Sequence, residues 1–270
     1  MQVGAHNHIS NPLRGFSLIE LLVVTAVIAL LISLLVPTLS GMRDAARSIA
    51  CLSNLRQLGV AWSVYADDFQ SYAMPLADQI PDSGDTVYWF GAVMHSNGSI
   101  EPRRGFLAPY LEDSLHERSV FECPAQPWGT YQTQGLPRSI TTTYGYNGYY
   151  LCPPKTPGWS FAIGDRPWRR TWEIPAPAEL LVFADTLLAG DPPRNSALLD
   201  PPKTWNRWRG WQRNAFPTTS FRHGNATAVL TGDVSGSIIR AEKDWLTQPD
   251  LGIGSVGLEP SRYIPDWREW

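Results

Sequence analysis

Hydrophobic and polar positions divide the chain into three textures. From Phe16 to Val36 the sequence FSLIELLVVTAVIALLISLLV is almost wholly apolar, and no charge stands between Glu20 and Arg43. As a helix this run spans about 31 Å, the thickness of a bilayer core. A helix in a soluble core keeps a polar face, whereas this one has only Thr25 and Ser33. The run therefore predicts a membrane-spanning segment over 16–36. It is too long for the apolar core of a secretory signal peptide, and it continues without a break into the next pattern.

Beyond Pro37 the apolar positions become periodic. Leu55, Leu58, Trp62, Tyr65 and Phe69 recur at alternating spacings of three and four, which lines one helical face. Gly59 reads as a tolerated blemish in that helix. One long helix to about residue 69 is expected, with its second half laid against a sheet. After Ser71 short apolar runs are broken by Pro, Gly and Asn. Strands are expected at Val87–Val93, Thr141–Tyr146, Leu180–Ala184, Thr227–Leu230 and Ser237–Arg240, with a short helix at Phe106–Leu111. A long surface loop is expected over 186–217, where Asp191–Pro217 carries Pro pairs at 192–193 and 201–202. The fold class is α+β: a long N-terminal helix packed on a small antiparallel sheet in a loop-rich head that covers 70–270.

Composition sharpens this picture. The chain has 270 residues, of which 43% are hydrophobic and only 17% charged, and its formal charge is −3. Such a balance excludes a surface given over to nucleic acid. Twelve Trp and 23 Pro fit a head of loops pinned by aromatic anchors rather than a helical bundle. Three cysteines, Cys51, Cys123 and Cys152, form no Cys-x-x-Cys pair, so a zinc site of common spacing is not expected. In an oxidising compartment one disulfide and one free thiol is the simplest outcome. Cys51–Cys123 is the leading pair, because Ser119–Phe121 can dock beside the helix; Cys123–Cys152 is the alternative.

A lone carboxylate near the start of a membrane helix needs a partner. The residues around it, Arg14-Gly15-Phe16-Ser17-Leu18-Ile19-Glu20, resemble the prepilin cleavage and methylation motif of type IV pilins and type II secretion pseudopilins. The resemblance implies a leader, 1–15, removed by a prepilin peptidase after Gly15. It implies an N-methylated Phe16, and an assembly role for Glu20 as the ion-pair partner of a neighbouring subunit's N-terminus. Pro37 falls where such helices commonly kink. Flanking charges say little about orientation, so the motif alone places the head outside the inner (cytoplasmic) membrane, in the periplasm.

The rest of the chain is similar to the prepilin-like subfamily with a C-terminal His-x9-Asp-Gly motif. Five segments carry that likeness: ARSIACLSNLRQLGVAWSVYADD from Ala46, APYLEDSLHERSVFECP from Ala108, TYGYNGY from Thr143, IPAPAELLVFAD from Ile174, and FRHGNATAVLTGDVSGSI from Phe221. His223 and Asp233 keep the spacing, but Val234 stands where the motif has Gly. The resemblance implies a structural, non-enzymatic subunit, a pseudopilin or minor pilin. Its partners would be the prepilin peptidase, other pilin-like subunits, an inner-membrane assembly platform and the membrane itself, with no nucleic acid.

Asp185, His223 and Asp233 are residue types that serve metal binding or acid–base chemistry. Here Asp185 reads as a strand end, and Gly232–Gly236 reads as a hairpin turn with Asp233 bonding nearby N–H groups. His223 and Asp233 are expected at opposite ends of one strand, too far apart to share a site. No cofactor is expected beyond a structural calcium on loop carboxylates such as Asp233, which some pseudopilins bind, and no loop carries a full set of oxygen ligands. The most unusual composition is Trp205, Arg207, Trp208, Arg209 and Trp211, preceded by Arg166, Trp168, Arg169, Arg170 and Trp172. Alternating Trp and Arg can form a ligand surface, but a loop pinned down by its aromatics is the expected arrangement. A second function class, a singly anchored periplasmic binding protein, would use that surface.

Overall fold

The computed structural model describes residues 16–112, 114–126, 129–133, 142–155 and 163–270. Gly15 and the rest of the expected leader lie outside the described residues. The chain divides into two compact units, one ending at Arg43 and one from Asp44 to Trp270.

One helix runs from Leu18 to Asp68. It passes through Pro37, whose side chain lies outside the described residues. In the first unit every side chain from Phe16 to Val36 is exposed, and this helix is long and apolar enough to cross a membrane. Its backbone satisfies its own hydrogen bonds, the condition for crossing hydrocarbon. The start is closed by a capping box: Ser17 N–H donates to Glu20 Oε2 at 2.8 Å, and Glu20 N–H to Ser17 Oγ at 3.2 Å.

In the second unit the helix buries one stripe. Cys51, Leu55, Leu58, Ala61, Trp62 and Tyr65 are buried. The stripe thus begins one turn earlier than the periodicity predicts, at Cys51. It also ends earlier: Phe69 is 50% exposed and instead stacks on Tyr65 with ring centroids 4.3 Å apart. The stripe packs on a four-stranded antiparallel sheet in the order Gly236–Arg240, Ala226–Thr231, Leu181–Asp185, Tyr144–Tyr146. Ala228, Leu230, Val182 and Phe183 join the core beneath the helix, whereas Val229, Leu181 and Ala184 face a second core built with Tyr149, Tyr150, Phe221 and Tyr263. A register shift opposite Leu230/Thr231 breaks strict alternation in the Leu181–Asp185 strand. Trp62 Nε1–H donates to the Tyr146 hydroxyl at 3.2 Å, which donates to the Met74 carbonyl at 2.7 Å, so these two buried rings bring their polar atoms satisfied.

Several expectations are corrected. Val87–Val93 is two strands, Thr86–Tyr88 and Gly91–Val93, in a meander with Ala77–Gln79 and Ile100–Glu101. Trp89 and Phe90 make the turn and go into the core. Phe106–Leu111 is a single 3-10 turn at Ala108–Tyr110, because Pro109 has no N–H to continue a helix. Of Thr141–Tyr146, Thr141 lies outside the described residues and the strand is Tyr144–Tyr146. The stretch 186–217 is not one loop. It contains Arg194–Asn195 and a hairpin of Lys203–Asn206 with Gly210–Arg213.

Gly59 is no blemish. A Cβ built there would stand 2.5 Å from Leu230 Cδ2 and 2.9 Å from Val234 Cγ1, so the bare glycine sets how closely helix and sheet approach. Val234 itself is held at φ +65°, in the left-handed region that disfavours a β-branched residue. Where the motif has Gly, this chain accepts that strain and packs the Val234 side chain against the core. Gly59→Ala is expected to destabilise the full chain by about 1 kcal/mol, within a range of roughly 0–2 kcal/mol. Overpacking, typically about 1–3 kcal/mol, outweighs the helix propensity of about 1 kcal/mol gained by replacing Gly. A lower urea midpoint in detergent checks this, and a raised midpoint would show that the close approach is no constraint.

Candidate functional site

Four side chains converge beneath the helix. Cys51 lies on its buried stripe. Cys123 follows a turn that is held in place when Cys123 N–H donates to Thr143 Oγ1 at 2.6 Å and Thr143 N–H to the Phe121 carbonyl at 3.1 Å. Asp185 ends a central strand, opposite Tyr144. His223 precedes the Ala226–Thr231 strand, across a reversal in which Gly224 and Asn225 both have positive φ. One ligand-type atom from each of these residues lies within 4.8 Å of the other three.

The contacts are specific. His223 Nε2 is 3.2 Å from Asp185 Oδ2 and 3.2 Å from Cys123 Sγ. Cys51 Sγ is 3.5 Å from Asp185 Oδ1. Ala228 N–H donates to Asp185 Oδ2 at 2.9 Å, and Arg222 Nε stands 3.9 Å from Oδ1. The Tyr144 hydroxyl lies 3.3 Å from both Cys51 Sγ and the Glu122 carbonyl. Asp185 is fully buried, and the His223 side chain is 1% exposed.

Burial favours the neutral form of each group here, and the neighbours override it for three of the four. Burial lifts Asp185, but the His223 hydrogen bond, the Arg222 and His223 charges and the Ala228 N–H hold its carboxyl below the usual range. Burial pulls His223 down, yet its bonds to Asp185 and Cys123 and their charges push it up to about 10. Burial lifts Cys123, and the bonds from Cys51 and His223 with the Arg222 charge bring it below its ordinary value. Cys51 is pushed well up, first by burial and then by its neighbours Cys123 and Asp185. The cluster thus stores negative charge opposite one imidazole and one guanidinium.

Two expectations change here. Cys51, Cys123 and Cys152 are all free thiols, so neither expected disulfide is present. Docking of Ser119–Phe121 does bring Cys123 to Cys51, but the two sulfurs share their space with a carboxylate and an imidazole. Asp185 is not merely a strand end. Its side chain is the buried centre of the cluster, a role hidden from sequence because its partners all lie tens of positions away along the chain.

Asp233 is elsewhere. It sits in the turn between Ala226–Thr231 and Gly236–Arg240, at the other end of the strand that His223 precedes. Its Oδ1 accepts from Thr231 Oγ1 at 2.6 Å, Ser235 Oγ at 2.7 Å and Ser235 N–H at 3.1 Å. These donors hold Oδ1 on the hairpin turn.

The Trp/Arg segment folds as the hairpin named above. Trp205 and Trp211 face each other across it, with centroids 5.2 Å apart, and pack against Trp270 and the second core. The Arg166 guanidinium lies 5.3 Å over the Trp205 ring and 5.0 Å over that of Trp270. Arg207 pairs with Asp165 at 3.0 Å. Trp208 and Arg209 occupy the exposed tip, where Trp208 is 72% exposed. The cation that the Trp faces would offer a ligand is already supplied by the chain.

No family model matches this sequence, and no curated protein or solved structure matches it significantly.

A double-mutant cycle separates the two motif residues. His223→Ala and Asp233→Ala are expected to be additive within about 0.5 kcal/mol, whereas His223→Ala and Asp185→Asn should couple by more than about 1 kcal/mol. Each change at the buried pair should by itself cost about 3–5 kcal/mol. Chemical denaturation of the three single and two double variants reads both values, and coupling between His223 and Asp233 would contradict this geometry.

Proposed function

We propose that the chain is a membrane-anchored structural subunit of a pilin-like filament, a pseudopilin or minor pilin of a type II secretion or type IV pilus-like machine. The observation that carries this reading is one continuous helix with two environments. Its start is wholly apolar, exposed and interrupted by a single carboxylate, while its later turns form the core of a small α+β head. A helix serving only as an anchor has no need of that carboxylate, which is costly in lipid. A prepilin peptidase would cut after Gly15 and leave Phe16 as the methylated N-terminus. The head would lie in the periplasm, outside the inner membrane, and assembly would place the helix among other pilin-like subunits.

The arrangement of the head favours this over an enzyme or a ligand-binding protein. The titratable cluster is sealed from solvent, so no substrate reaches it. The Trp205 and Trp211 faces are taken up by neighbouring rings and by Arg166, which leaves little for an external ligand.

Glu20 has two candidate roles, and substitution separates them. A capping box accepts Gln as well as Glu at this position, because only the side-chain carbonyl is needed. An intersubunit ion pair needs the charge. In cells with the matching peptidase, the mature protein should begin at N-methyl-Phe16 by mass spectrometry. Glu20→Gln and Glu20→Ala should then both be processed and both fail to enter crosslinked filaments. Incorporation of Glu20→Gln at the native level would reduce Glu20 to a helix cap, and an N-terminus near Thr38–Gly41 would sink the pilin reading.

A further inference from the structure

The sealed cluster has the donor set of a metal centre, and we propose that Cys51, Cys123, Asp185 and His223 bind one Zn2+ as a closed structural site. Two thiolates, one imidazole nitrogen and one carboxylate oxygen make a ligand set suited to a borderline-soft dication. In a tetrahedron with metal–ligand bonds of about 2.0–2.3 Å, ligand atoms stand roughly 3.3–3.8 Å apart. Three of the six edges lie close to that length, 3.2 Å for His223 Nε2 to Cys123 Sγ, 3.2 Å for His223 Nε2 to Asp185 Oδ2 and 3.8 Å for Cys51 Sγ to the same Oδ2, and all four ligand atoms lie within 4.8 Å of one another.

Hydrogen bonding fixes which imidazole nitrogen faces the centre. The Ser48 hydroxyl donates its proton to the Asp44 carbonyl at 2.9 Å. At the His223 Nδ1, 3.1 Å away, Ser48 Oγ is therefore an acceptor, and Nδ1 carries the proton. Neutral His223 then turns the bare lone pair of Nε2 toward a carboxylate and a sulfur, three electron-rich atoms with nothing positive between them. A proton or a metal ion must stand there. Cys51 Sγ, 3.5 Å from Asp185 Oδ1, stands where it would complete the ligand set once its thiol proton is displaced.

The surroundings complete the site. Ala228 N–H orients the Asp185 carboxylate, and Ser48 orients the imidazole, as second-layer contacts of zinc ligands do. Zn2+ with two thiolates and a carboxylate carries one net negative charge, which the buried Arg222 beside Asp185 offsets. No coordination position is left open to solvent, so the metal would be structural rather than catalytic. The four ligands come from the long helix, the segment after Phe121, the end of one strand and the approach to another. One ion would tie the helix to the head across contacts distant in sequence. None of this depends on filament assembly.

The test uses the full chain, purified in detergent under reducing conditions after growth with added zinc. About one zinc per chain is expected by elemental analysis, retained in Cys152→Ser and lost in Cys51→Ser/Cys123→Ser. Exchange with Co2+ should give the intense visible bands of a tetrahedral ion and a near-ultraviolet thiolate charge-transfer band. Ser48→Ala, which leaves all four ligands in place, should weaken zinc binding by about 10-fold or more in competition with a chromogenic chelator. The Co2+ spectrum of the native chain does not depend on whether the cysteine variants fold. Zinc retained equally by Cys51→Ser/Cys123→Ser would mean adventitious surface binding and would overturn the proposal. So would failure of the reduced native chain to take up Co2+, or a Cys51–Cys123 disulfide found by non-reducing peptide mapping of protein from its native membrane.

Discussion

Closure of the long helix onto the four-stranded sheet is the constraint on which the head depends. Six residues from Cys51 to Tyr65 bury their side chains there, and each large apolar side chain contributes about 1.5–3 kcal/mol by leaving water. The approach is close because Gly59 presents bare backbone to Leu230 and Val234. That closeness then determines the rest. It brings Cys51 within reach of the strand end at Asp185, and it lets Trp62 find the Tyr146 hydroxyl. It also gives the strained turn at Val234 a packing reward for its unfavourable backbone.

The same closure creates an electrostatic problem. Asp185 is taken wholly out of water, and an unpaired carboxylate there would be prohibitively costly. The fold answers with an imidazole, a backbone N–H and a guanidinium. Such buried pairs rarely stabilise a fold relative to apolar packing. Their persistence at the junction of four chain segments points to a purpose other than bulk stability, and a bound dication supplies one. The two cysteine sulfurs beside the carboxylate and imidazole complete a donor set suited to such an ion.

The first unit obeys a different solvent. Its exposed apolar helix has no protein core to enter, so its side chains call for lipid, and its one carboxylate has only a local cap for company. The capping box lowers the cost of Glu20 at the helix start without neutralising it. An acid in such a place calls for a charged partner, which in the proposed filament would be a neighbouring subunit's N-terminus.

Sequence by itself determined what depends on neighbours along the chain. The apolar run from Phe16 to Val36 implies a spanning helix through length and lack of charge alone. The three-and-four spacing from Leu55 to Tyr65 marks a helix face, and the turn at Gly232–Gly236 follows from local Asp and Gly chemistry. Short apolar runs bounded by Pro, Gly and Asn located the central strands to within a residue or two. What only the tertiary structure decided depends on residues brought together from afar. Cys51, Cys123, Asp185 and His223 show no motif spacing, because their positions are set by sheet order and by the turn after Phe121. Gly59 looks weak as a helix residue and is needed as a contact surface. The Trp/Arg stretch looks like a loop because its strands are short and its turn is rich in charge. Trp205 and Trp211 become an anchor only where Trp270, from the end of the chain, closes over them. Local propensity is written residue by residue, whereas a site assembled from four segments exists only once the helix has closed on the sheet.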